Sequence, residues 1–106
     1  VYGQLIECVR EAGGAVSEVA GRRVYWDDNN FPFSEPGDYG FYKGAWHCIV
    51  PAIGCAVGNL NGHTVTEHED GTITVTPSIL VYGGDGKGGK VEEYHGYLTR
   101  GVWKSC

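Results

Sequence analysis

Hydrophobic and polar residues alternate most cleanly between positions 63 and 76. The runs His-Thr-Val-Thr-Glu-His (63–68) and Thr-Ile-Thr-Val-Thr (72–76) flank Glu69-Asp70-Gly71. Period two is the signature of a half-buried strand, so the two runs predict a hairpin. A two-residue loop would put Val65 on the face opposite Ile73 and Val75. A three-residue loop, with Gly71 in the left-handed bulge position, pairs Val65 with Val75 and Glu67 with Ile73. That register gathers Val65, Ile73 and Val75 on one buried face, and it is the one expected. The other face then carries Thr64, Thr66, His68, Thr72, Thr74 and Thr76, which suits a solvent-facing strand surface.

The remaining chain is less regular. Tyr2, Leu5, Ile6 and Val9 recur at helical spacing, with Gln4, Glu7, Arg10 and Glu11 on the other side and Gly13-Gly14 as a stop. This predicts a short N-terminal helix. Residues 15–20 fit a helical turn or a strand. Residues 22–26 predict a strand, broken by Asp27-Asp28-Asn29-Asn30. Residues 27–44 carry no periodicity and predict a long aromatic-rich loop. Its rings are expected to pack over a small core, although loops of this length are often functional. Residues 45–50 predict a strand stopped by Pro51, and an apolar strand resumes at 79–82. Pro77 cannot donate a ladder hydrogen bond, so its strand must bulge or reach an edge there. Residues 83–90 are a flexible glycine loop. Residues 91–106 predict a second hairpin that turns at Thr99-Arg100-Gly101. The expected fold is therefore α+β and β-rich: a small antiparallel sheet of hairpins with one N-terminal helix, in a single domain over 1–106.

Composition narrows the function classes. With 106 residues, one domain is expected. Eight Lys and Arg against thirteen Asp and Glu leave a net charge of −5, which argues against a nucleic-acid partner. No apolar run approaches the ~20 residues of a spanning helix, so no membrane partner is expected. The 83–90 loop lacks the spacing and the following helix of a phosphate-cradling loop. Cys8, Cys48, Cys55 and Cys106 admit buried thiols, two disulfides in any of three pairings, or metal ligation. No ligand pair has zinc-finger spacing, and His63 and His68 fall on opposite strand faces. No cofactor is expected. If zinc were bound, Cys48, Cys55, His95 and Cys106 would be the best ligand set.

The second half carries a resemblance. Trp46-His47-Cys48 and Pro51 lead into Gly62-His63-Thr64-Val65. The string Glu67-His68-Glu69-Asp70-Gly71-Thr72-Ile73-Thr74-Val75-Thr76-Pro77-Ser78-Ile79-Leu80 follows. A glycine loop then reaches Tyr94-His95-Gly96-Tyr97-Leu98 and Gly101-Val102-Trp103. Over about residues 45–106 this resembles a family of small tailed-phage and prophage proteins. The family shares a Thr/Ser-Pro-Ser-Ile strand, a later His-Gly strand and a closing hairpin. Some members carry an "ammonia monooxygenase" label that nothing in these residues supports. Many members have a Cys-x-x-Cys pair resembling a zinc site, whereas Cys48 and Cys55 here are further apart. The resemblance implies a phage or prophage accessory protein in the host cytoplasm, acting on a host protein or a small ligand, in the manner of counter-defence.

Three chemistries compete for the site. His95, beside Glu92 and Glu93, with Ser78 as nucleophile would make a small hydrolase, but Ser78 lacks a Gly-x-Ser-x-Gly elbow. His47 and Cys48 are adjacent and point to opposite strand faces. A structural zinc module is the second alternative. Binding is the preferred reading, because the chain's aromatics exceed what a small core needs and suit a pocket for a base or ribose, or equally a protein interface. Trp46, Ser78, His95 and Tyr97 are expected to line one concave surface, with Arg100 near its rim. No catalytic residue or metal ligand is assigned.

Overall fold

A computed structural model describes residues 2–5, 18–52, 56–84 and 86–105. The strands are β1 (Tyr2–Leu5), β2 (Glu18–Ala20), β3 (Arg22–Arg23), β4 (Asp38–Tyr42) and β5 (Ala45–Cys48). They continue with β6 (Gly58–Asn59), β7 (Thr64–Glu67), β8 (Ile73–Gly84), β9 (Lys90–Thr99) and β10 (Val102–Ser105). They form two sheets. One has the order β1-β8-β9-β10-β2, with β7 also on β8, and the other has the order β3-β4-β5-β6. All pairs are antiparallel except β3 with β4.

The α+β expectation is corrected: the fold is all-β, and no helix occurs among the described residues. Tyr2 and Leu5, the first two positions of the helical pattern, lie in β1, paired with Val81 and Ser78 of β8. Residues 6–14, the rest of the pattern, lie outside the described residues. A spacing of three across four residues fits a helix or a strand, and β8 offers unpaired backbone groups that a strand satisfies. Gly3 is also a poor helix former.

The 64–76 hairpin has the register the alternation requires. Val65 pairs with Val75 and Glu67 with Ile73. His68 and Thr72 close the loop, with the His68 N–H donating to the Thr72 carbonyl at 2.8 Å and Gly71 at φ 86°. Ile73 and Val75 are fully buried, and Val65 packs at the margin of the same core.

Pro77 sits where no ladder needs its missing N–H. The β8 edge is paired by β7 as far as Thr76 and by β1 from Ser78 onward. On the other side, the β9 register shifts between Val75 and Ile79. The 83–90 loop is shorter than expected, because Gly83 and Gly84 belong to β8 and Lys90 to β9. The last turn is also tighter than expected. Thr99 pairs directly with Val102, so only Arg100 and Gly101 turn, at φ 46° and 77°.

The expected loop over 27–44 contains β4. Glu35-Pro36-Gly37-Asp38 is a turn, closed by the Asp38 N–H on the Glu35 carbonyl with Gly37 at φ 95°. The strand that follows turns back at Lys43-Gly44, both at positive φ, into β5. Two left-handed residues match the right-handed twist of a hairpin.

The sheets face each other across one core. Tyr39, Cys48, Val50 and Leu60 pack against Ile73, Val75, Ile79, Val81, Tyr94, Leu98 and Trp103. Fully burying an aliphatic side chain of this size contributes about 1.5–3 kcal/mol. The Trp103 indole N–H donates to the Gly37 carbonyl at 3.0 Å, which ties the sheets at the centre. Val24, Phe33 and Ile49 form a second small cluster with Tyr42 and Val57. Part of the aromatic stretch thus packs as a core, whereas Phe31 and Phe41 stay exposed.

Candidate functional site: the mouth of the sandwich

Phe41 and Trp46 are directly opposed across the β4–β5 ladder. They share a strand face with Tyr39 and Cys48, which enter the inter-sheet core. At the hairpin end this face runs out from between the sheets. Phe41 is 48% exposed there, and Trp46 is half-buried. The rings meet edge-on, with centroids 5.4 Å apart and planes at 71°. The connection from β6 into β7 supplies the other wall, with Leu60, Asn61 and His63, and β7 adds Val65. The groove between the two walls has a volume of about 310 Å³. That lies at the small end of the range for small-molecule sites.

The far wall is built by a tight turn. The His63 N–H donates to the Leu60 carbonyl at 3.0 Å, with Gly62 at φ 87°. Leu60 is anchored through its own N–H on the Trp46 carbonyl at 2.9 Å. The His63 Nε2 lies 3.2 Å from the Ser78 carbonyl, which can only accept, so Nε2 carries the proton. Nδ1 is the second nitrogen of the ring. It is buried without a partner.

Trp46 is held from its other side. The Arg23 guanidinium lies 4.9 Å from the Trp46 ring and 4.7 Å from the Tyr25 ring. Its Nη1 donates to Glu67 at 2.7 Å and to the Gly71 carbonyl at 2.8 Å. Arg23 therefore links β3 to the β7–β8 hairpin and fixes the indole that floors the groove.

The five expected site residues fall in three places. Ser78 and His95 meet, with Oγ and Nε2 3.1 Å apart. Tyr97 shares their strand face, because Tyr94 and Leu98 of the same strand point into the core. Trp46 packs against that core from the other sheet, so it lies on the opposite side of β9 from His95. Arg100 stands at the β9–β10 turn. There it lines a shallow depression of about 450 Å³ with Glu67, His68, Glu69 and Asp70. The Thr72 hydroxyl and N–H hold the Asp70 carboxyl below its usual range, helped by the charges of His68 and Arg100.

Ser78 is fully buried, so its oxygen has no path to a substrate. Among the described residues no carboxylate forms an ion pair with His95. For zinc, Cys48 faces the inter-sheet core while His95 faces away from it, so the two cannot share an ion. Cys55 and Cys106 lie outside the described residues.

Sequence reasoning missed Phe41, Asn61 and His63 as neighbours of Trp46. The Lys43-Gly44 turn was the one available signal, since it sets Phe41 opposite Trp46. Nothing local brings residues 60–65 to the same place. No protein-family model matches the chain, and no curated protein or solved structure matches it either.

Proposed function

We propose that the protein is a non-enzymatic binding module that takes a small, flat, nucleotide-like ligand into the groove between Phe41 and Asn61. The carrying observation is the Phe41–Trp46 pair, left open to solvent at the end of a packed core. A large ring at 48% exposure forgoes burial that its neighbours obtain, and a ligand ring would restore it. The rigid hairpin and the Arg23 clamp hold the indole in place before binding, which lowers the ordering cost. The resemblance over residues 45–106 supports a phage or prophage setting in a host cell. In that setting, sequestering a host signal molecule is one use for such a groove.

Mass spectrometry of small molecules released from the purified, denatured protein tests this reading. Wild type should release a ring-bearing compound that the Phe41→Ala variant, still folded by circular dichroism, does not retain. Release of nothing from wild type, or of the same compound from both proteins, overturns it.

A further inference from the structure

We infer that the groove takes the uncharged base end of its ligand and leaves any phosphate outside; this rests on the groove being a ligand site. None of the nine residues that line it is Asp, Glu, Lys or Arg. Lys43 and Arg23 are engaged elsewhere. Lys43, beside the groove in sequence, places its Nζ 5.5 Å from the centre of the Tyr42 ring, on the other face of the sheet. Arg23 spends Nη1 on Glu67 and the Gly71 carbonyl and lies between the Tyr25 and Trp46 rings. A phosphate in the groove would meet no Lys or Arg in its lining, and the chain's net charge of −5 opposes it further.

What the lining offers is suited to a base. Phe41 and Trp46 supply ring faces and edges. Asn61 is exposed on the opposite wall. Its N–H is taken by the Asn59 side chain at 3.1 Å, while its own carboxamide makes no hydrogen bond among the described residues. A free carboxamide presents one donor and one acceptor side by side. That pair matches the amino and ring-nitrogen edge of an adenine-type base. The ring would lie against Phe41, with its hydrogen-bonding edge toward Asn61 and its sugar toward solvent.

Calorimetric titration of the full chain with adenosine and with adenosine 5′-monophosphate tests this. Adenosine should bind, the monophosphate should bind no tighter, and neither affinity should change between about 0.05 and 0.5 M salt. Asn61→Ala should weaken adenosine about tenfold, the loss of one good paired contact. Monophosphate binding more than about tenfold tighter and weakened by salt would overturn the inference while leaving the groove reading intact. Failure of both probes to bind also overturns it. In that case a compound released from wild type and lost from Phe41→Ala would still uphold the groove as a site.

Discussion

Arg22 grips Asp38 at two points across the parallel β3–β4 pair. Its Nε donates to Oδ1 at 2.8 Å and its Nη2 to Oδ2 at 2.7 Å. The carboxylate is fully buried and also accepts the backbone N–H groups of Ser34 and Glu35, both at 3.0 Å. Burial pushes the Asp38 carboxyl up, but the guanidinium and the two N–H groups outweigh it and hold it below the usual range. The aspartate thus fastens the turn that starts β4, and β4 carries Phe41 to the groove.

This makes the fold acid-sensitive at a defined place. A carboxyl depressed in the native state stabilises fully above its unfolded value of about 3.9. That stabilisation is lost as pH falls through the native value. Urea midpoints of wild type should drop between about pH 5 and pH 2.5, and Asp38→Asn should lack that part of the slope. Asp38→Ala, which removes the shared acceptor of the Arg22 guanidinium and of two backbone N–H groups, should cost about 3 kcal/mol at pH 7. An acid limb identical in wild type and Asp38→Asn would refute the assignment.

Tyr94 behaves in the opposite sense. Burial, reinforced by the neighbouring Cys48, pushes its hydroxyl up to about 12. A raised native value stabilises fully below the unfolded value of about 10 and is lost as pH climbs toward the native one. The same hydroxyl is buried without a hydrogen-bond partner among the described residues. Tyr94→Phe should therefore leave stability at pH 7 within about 0.5 kcal/mol of wild type or raise it, and should flatten the alkaline limb. Thermal melts at about pH 7 and pH 11 measure both, and a loss above about 1.5 kcal/mol at pH 7 would contradict the missing partner.

At Arg23 the planar group matters more than the charge. Arg23→Lys should cost about 1–2 kcal/mol, because an ammonium cannot lie flat between Tyr25 and Trp46 while reaching the Gly71 carbonyl. Glu67→Gln, at an exposed carboxylate, should cost less than about 1 kcal/mol. Chemical denaturation of the two variants ranks them, and the reverse order would show that the ion pair dominates.

Glycine 40 is needed for space. A Cβ there would lie 2.5 Å from the Val24 carbonyl oxygen, a backbone atom that cannot turn aside. Gly40→Ala should destabilise by roughly 1–3 kcal/mol. Gly84, in open surroundings, is the control, and Gly84→Ala should stay within about 0.5 kcal/mol. Equal effects in the two variants would argue against the close β3–β4 approach.

By itself the sequence determined what alternation and turn chemistry can encode. Period two over 63–76, with Gly71 in the loop, specified both faces and the register of one hairpin, since a one-residue slip would expose Ile73 and Val75. Pro77 announced an interruption, and the spacing of His95 and Tyr97 put them on one face. Only the tertiary structure decided what pairs with what. Tyr2–Leu5 is a strand because β8 has an open edge beside it, a partner more than seventy positions away that no local pattern reveals. Asp38 and Gly40 break the alternation of β4, which forms because Arg22, β5 and the inter-sheet core hold it there. Trp46 was legible as a candidate, but its neighbours were not. The expected surface divided because Trp46 and His95 lie on opposite sides of β9, and face identity between strands far apart is set by how the sheets stack.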